Sequence, residues 1–146
     1  MTTTPVPIPY PDPCPCGSGL GYAGCCGRWH GEAPEADGPQ SAHPTAPPAP
    51  SAETLMRSRY SAFVLGRADY LLSTWHPDTR PAELQFDTGV RWLGLEVRAA
   101  REEGDHATVE FVARSKWGGR ATRLHEVSRF VRLAGRWFYL DGKFRT

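Results

Sequence analysis

All four cysteines of the 146-residue chain, Cys14, Cys16, Cys25 and Cys26, fall in one short glycine-rich run. The run reads Cys14-Pro15-Cys16-Gly17-Ser18-Gly19-Leu20-Gly21-Tyr22-Ala23-Gly24-Cys25-Cys26-Gly27. Two close pairs offer four soft ligands, and four thiolates suit a tetrahedral structural site, most often zinc. Glycine admits left-handed backbone angles and lets amide N–H groups approach the sulfurs, which spreads the negative charge of a four-thiolate centre. So short a segment has no core of its own, so metal binding would be its folding energy. Iron is also held by four thiolates and stays an alternative to zinc. His30 is a substitute fourth ligand should the adjacent cysteines not reach together. A disulfide framework fits less well, because Cys25-Cys26 is a poor vicinal pair. The C-x-x-C spacing of thiol redox sites is missing.

Composition divides the rest of the chain. All but two of the 14 prolines precede Ser51. Residues 1–12 read as an extended Pro-rich tail, 13–30 as the metal-binding motif and 31–50 as a Pro/Ala-rich linker. The linker has almost no large apolar side chain with which to offset its ordering entropy. Residues 51–146 have enough apolar content for a modest core. Net charge is +1, too small for a global field that recruits nucleic acid or anionic membrane. No apolar run is long enough to cross a bilayer, and Met1 to Pro13 lacks the basic and apolar regions of a secretory signal. A cytoplasmic location is the expectation, and there thiols stay reduced.

From Ser51 the pattern becomes helical. Ser51 is suited to cap a helix beginning at Ala52, with Glu53 near its positive end. Met56, Tyr60, Phe63 and Val64 recur at helical spacing, Leu55 widens the stripe, and Gly66 ends it. A second helix is predicted over about Ala68 to Trp75, ended by Pro77, and a short third one from Pro81 to about Phe86. Beyond Gly89 the period changes to two. Strands are predicted over Trp92–Ala100, Ala107–Lys116, Arg123–Leu133 and Arg136–Asp141. Leu93, Leu95 and Val97 should share a face of the first, and Val109, Phe111 and Ala113 a face of the second. Helices first and then a four-stranded meander is an α+β order, with helices packed on one face of a curved antiparallel sheet.

Cys-Pro-Cys-Gly-Ser-Gly followed by Cys-Cys-Gly resembles the SEC-C motif, whose two close cysteine pairs bind zinc or iron. The resemblance extends further. Met56-Arg57-Ser58-Arg59-Tyr60, Thr74-Trp75-His76-Pro77, Phe111-Val112-Ala113-Arg114, His125-Glu126-Val127-Ser128-Arg129-Phe130 and Trp137-Phe138-Tyr139-Leu140-Asp141-Gly142 are similar to the YchJ-like family. That bacterial group joins a SEC-C motif to a nuclear-transport-factor-2-like (cystatin-like) domain. The resemblance implies a cone whose helices and curved sheet leave a cup. This chain departs from the family pattern by lacking lysines after Gly-Ser-Gly, by its long Pro-rich linker and by having no second SEC-C copy.

Fold alone does not decide function, so the residues must. Candidates for the cup are Tyr60, Trp75, His76, Trp92, Glu126, Arg129, Trp137 and Tyr139 as ligand contacts, with His125 or Asp141 as a base. His125 and Arg129 share strand parity, and so do Trp137, Tyr139 and Asp141. If the two faces coincide, Asp141 meets Arg129 or His125 inside the cup as an acid–base pair. The competing reading is structural, since Arg–Asp pairs fix sheets and Trp and Tyr fill cores. Arg57 and Arg59 are suited either to an anion or to a solvated face. No phosphate loop, nucleophile elbow or metalloprotease helix is present.

The expected function is a zinc-binding adaptor whose cup takes a protein or small-molecule ligand, without membrane association. The alternatives are a small hydrolase or isomerase using the cup, and a nucleic-acid- or ribosome-associated protein. Because the linker should uncouple the cysteine segment, Cys16→Ser is expected to unfold only residues 14–30.

Overall fold

The protein is described by a computed structural model covering residues 13–30, 47–86 and 89–145. The expected tail and most of the expected linker lie outside these residues. The cysteine segment folds as a 3-10 turn, Tyr22–Gly24, and one helical turn, α1 (Cys26–His30). Two helices follow, α2 (Ala52–Leu65) and α3 (Ala68–Ser73). Four strands complete the chain: β1 (Val90–Glu103), β2 (His106–Trp117), β3 (Arg120–Leu133) and β4 (Arg136–Phe144).

Local chemistry sets the helix ends. Ser51 Oγ accepts the Thr54 N–H at 3.1 Å, and Gly66 closes α2 at φ 74°. α3 stops at Ser73, short of the predicted Trp75, because the chain there pairs with β4 instead. Tyr139 N–H donates to Thr74 O and His76 N–H to Tyr139 O, both at 2.8 Å. Residues 74–76 thereby cover the edge of β4, and the Thr79 hydroxyl adds a bond to Leu140 O at 2.7 Å. The helix predicted from Pro81 to Phe86 does not form. One turn is too short to repay its nucleation, and Phe86 sets its ring against Phe63 instead, with centroids 6.1 Å apart.

The sheet is an antiparallel meander in the order β1-β2-β3-β4. Its last two turns place Gly118-Gly119 and Ala134-Gly135 at positive φ, the geometry that matches strand twist in a tight hairpin. Three register shifts interrupt the ladders, at Leu93, Arg98 and Leu140, and the first and last change which candidate side chains face the helices. In β1, register shifts between Trp92 and Gly94, so Leu93 is extruded and 52% exposed. Trp92, Leu95 and Val97 therefore pack inward, and Leu93, expected on the same face as Leu95 and Val97, does not. In β4, Leu140 is the extra residue between Tyr139, opposite Phe130, and Asp141, opposite Arg129. Everything after Leu140 changes face. β2 matches its expected pattern, with Val109, Phe111 and Ala113 buried.

A single apolar cluster joins Leu55, Met56, Phe111, Phe130 and Trp137 to Tyr22 and all four cysteines. Ala49, at the end of the expected linker, is buried in it too. The cysteine segment is thus part of the core, and the expectation that it unfolds alone does not fit this packing.

Candidate functional site

The cysteine segment is built from short-range bonds and then seated on α2. Cys14 N–H donates to Leu20 O at 2.8 Å, and Gly17 N–H to Cys14 O at 3.1 Å, with Gly17 at φ 81°. Gly27 lies against the Tyr22 carbonyl, where a Cβ would approach to 2.7 Å. All four cysteines are buried and none forms a disulfide. Their sulfurs lie within 4.8 Å of one another, and Cys16 Sγ is 3.7 Å from Cys25 Sγ. A tetrahedral four-thiolate site with bonds of ~2.3 Å has sulfur–sulfur edges of ~3.8 Å, so the donor set fits such an ion. The Ser18 hydroxyl at 3.1 Å from Cys25 Sγ and the Ser61 hydroxyl at 3.5 Å from Cys14 Sγ are donors suited to thiolates. Hydrogen bonds from Cys16 and Cys26 hold the Cys14 thiol far below its ordinary value, while Cys14 pushes Cys26 up. Four crowded sulfurs cannot all ionise without a cation among them.

His30, expected as a substitute fourth ligand, has both ring nitrogens engaged away from the sulfurs. Its Nδ1 is 2.6 Å from the Tyr22 hydroxyl and its Nε2 is 2.8 Å from Ser58 O. Nε2 therefore carries the proton given to the carbonyl, and Nδ1 accepts from Tyr22. The ring packs between Tyr22 and Tyr70. Arg57 closes the seat, bridging Cys16 O at 3.1 Å and Glu53 at 3.1 Å. Sequence reasoning passed over Ser58 and Ser61, both fully buried in this contact. Two small residues three apart on a helix mark a face that another backbone approaches closely, and that was the available signal.

The opposite side of α2 faces the sheet across a cavity of ≈ 270 Å³. Tyr60, Trp75, Trp92, Glu126 and Tyr139, all candidates from the sequence, line it. Trp92 contacts Tyr60 and Phe63, and Trp75 meets Tyr139 edge-on at 5.1 Å. Arg59 is buried, only 5% exposed, with its guanidinium 4.9 Å from the Trp75 ring and 4.5 Å from the Tyr139 ring. Its Nη1 donates to Leu71 O at 2.8 Å and Thr74 Oγ1 at 2.7 Å. Burial brings its pKa down to about 10, which leaves it charged at neutral pH. Glu126 accepts the Ser128 hydroxyl at 2.7 Å. Burial, with Glu126 alongside, raises Tyr139 to about 12.

The remaining candidates lie elsewhere. His125 and Arg129 alternate with the cup-facing Glu126, Ser128 and Phe130, so they project from the outer face of the sheet. His125 Nε2 meets Glu110 at 2.7 Å, and this contact holds Glu110 below the usual carboxylate range. Arg129 makes a two-pronged pair with Asp141, at 2.6 Å through Nε, and holds that carboxyl low. The bulge at Leu140 turned Asp141 away from Tyr139. The expected acid–base pair inside the cup is therefore absent, and neither His125 nor Asp141 reaches the cavity. His76 is a turn residue whose Nδ1 accepts the Asp78 N–H at 3.0 Å. Trp137 lines a second cavity of ≈ 230 Å³ near Trp29, Ala49 and Tyr70. Among the described residues no helix is long and apolar enough to cross a membrane.

A cone of helices on a curved sheet, with a four-cysteine knuckle seated on its longest helix, defines a nuclear-transport-factor-2-like domain joined to a SEC-C motif. Residues 51–142 match the family described as YchJ, middle NTF2-like domain, and residues 11–28 match the SEC-C motif. The chain belongs to the YchJ-like family. Its relatives include a UPF0225 protein of Bordetella pertussis, 56% identical over 126 residues, 85% of this chain and 86% of that one. Another, from Methylibium petroleiphilum, is 61% identical over 124 residues, covering 84% and 82% of the two chains. Among solved structures, a SEC-C motif containing protein from Rhodopseudomonas palustris superposes with a TM-score of 0.73 at 34% identity, covering 91% of this chain and 98% of that one. One from Psychrobacter arcticus gives 0.68 at 30% identity, with 91% and 82% covered.

Proposed function

We propose that this protein is a cytoplasmic, zinc-folded binding module. The four cysteines hold one zinc ion, which fixes the knuckle against one side of α2, and the cone on the other side of α2 receives a small, largely apolar ligand. The observation that carries the reading is the cavity itself. The aromatic side chains of helix and sheet wall it without filling it, and concave, mostly apolar sites with a few placed polar groups are where small molecules bind. The zinc has no catalytic part, because all four positions of a tetrahedral ion are taken by sulfur.

Two measurements test this. Elemental analysis of protein purified without added metal is expected to give about one zinc per chain. A visible thiolate-to-iron absorption with iron in zinc's place would overturn the metal assignment, and so would fully reduced, metal-free protein that keeps its fold. For the cup, ligand-observed NMR against a mixture of small aromatic fragments is expected to detect binders that Ala113→Leu removes. Ala113 lines the cavity, so the larger side chain fills it. Binding indifferent to that substitution, or no binding at all, would sink the ligand-binding reading.

A further inference from the structure

Arg59 carries hydrogen-bond donors that the fold does not use up. A guanidinium carries five N–H donors. Nη1 of Arg59 satisfies Leu71 O and Thr74 Oγ1, while Nε and Nη2 donate to nothing among the described residues. The residue is nonetheless buried, with its guanidinium packed against the rings of both Trp75 and Tyr139 in the wall of the cavity. Trp75 Nε1, in the same wall, is fully buried without an acceptor, whereas the free nitrogens of Arg59 keep some exposure. A buried charge with unmet donors is costly unless something completes its hydrogen bonds. The protein's own carboxylate does not: Glu126 is turned to Ser128, and no ion pair joins it to Arg59.

Resting on the reading of the cone as a ligand site, we infer that the cup selects small monocarboxylates with an apolar body, and that Arg59 is the anchor for the carboxylate. The fork of Nε and Nη2 matches the two oxygens of a carboxylate. The apolar body would lie among Tyr60, Phe63, Trp92 and Phe111. Size and charge narrow the class. A cavity of ≈ 270 Å³ is below the usual range for drug-sized ligands, so the occupant is on the order of ten non-hydrogen atoms. Glu126 in the same wall repels a second negative charge, which favours a monoanion over a phosphate ester.

The probe is a matched pair, 3-phenylpropanoate and 3-phenylpropan-1-ol, titrated by calorimetry or Trp fluorescence against the full chain. The acid should bind about tenfold to a hundredfold tighter than the alcohol, the gain of charge-assisted over neutral hydrogen bonds. Arg59→Lys keeps the charge and a donor for Leu71 O but loses the fork. It should weaken the acid about tenfold and leave the alcohol unchanged. Glu126→Gln should tighten the acid. The comparison of acid with alcohol in the unaltered protein decides the matter even where Arg59→Lys fails to fold. Equal binding of both, abolished by Ala113→Leu, overturns the carboxylate anchor and leaves the cup as a ligand site. Binding of neither, or binding that Ala113→Leu does not touch, overturns both. Tighter binding of acetyl-Gly-Phe, which mimics a protein C-terminus, overturns the assignment to small molecules.

Discussion

At Gly142 the absence of a side chain has a specific use. A Cβ built there would lie 2.0 Å from Glu126 Oε2 and 2.7 Å from its Cδ. The carboxylate of Glu126 therefore occupies the space that any other residue at 142 would fill, and from there it reaches the Ser128 hydroxyl. Gly142→Ala is expected to displace the carboxylate and break that bond, at a cost of about 1–2 kcal/mol. Urea unfolding measures it, and the cost should vanish in a Glu126→Ala background if the clash is its origin. A cost that persists there would place the effect in the β4 backbone. Arg59 and Glu126 show how far single residues could be interpreted in advance. Both were marked as candidates from residue type alone. What the sequence could not display was that Arg59, two positions after Arg57, turns inward while Arg57 caps the knuckle. Side-chain direction on a helix buried on two sides follows from packing and has no one-sided stripe to reveal it.

Among the elements, α2 matters most because both of its long faces are used. Ser58 and Ser61 sit under the cysteine knuckle, while Tyr60 and Phe63 look into the cone. The knuckle and the cone therefore share a wall, and the cysteine segment supports both. Cys16→Ser is expected to lower the melting temperature of the whole chain by at least ~5 °C, in a single transition. Circular dichroism of the sheet followed on heating checks this, and an unchanged sheet transition would show that the shared wall carries no load. The cap at Ser51, the stop at Gly66 and the succession of two helices and four strands were legible, because each rests on chemistry local to a few residues. The bulges were not. Strict alternation assumes one residue opposite one residue, and the insertion of Leu93 or Leu140 shows itself only when the partner strand is in place. That assumption sent Asp141 to the wrong side of the sheet, whereas His125 and Arg129 sit on a strand paired to β2 without a shift, and parity alone did not say which of its two faces meets the helices.

For the molecule as a whole, the buried tyrosines define how it meets alkali. Burial raises Tyr70 and Tyr139 from an ordinary value of 10 to about 12. Both stay protonated in the folded chain at a pH where the unfolded chain has already ionised. The folded state then binds more protons, so stability falls as pH rises. Their contribution is complete below pH 10 and is lost between there and 12. Spectrophotometric titration of phenolate should show these two ionising late, together with loss of the fold. Tyr139→Phe should move that loss to higher pH. Ordinary titration of all five tyrosines near 10 would contradict this packing.

The hydrogen bonds that seat the knuckle span 28, 41 and 47 residues, from His30 to Ser58, Cys16 to Arg57 and Cys14 to Ser61. The sheet, by contrast, is a meander whose strands join their immediate neighbours in sequence. Local pairings close quickly and distant ones wait on loop entropy. Synthesis and assembly therefore run in opposite directions. The ribosome releases the cysteines first, yet their seat on α2 emerges some thirty to fifty residues later. Until then the four thiols are the part of the newborn chain most open to capture by the wrong metal or by one another.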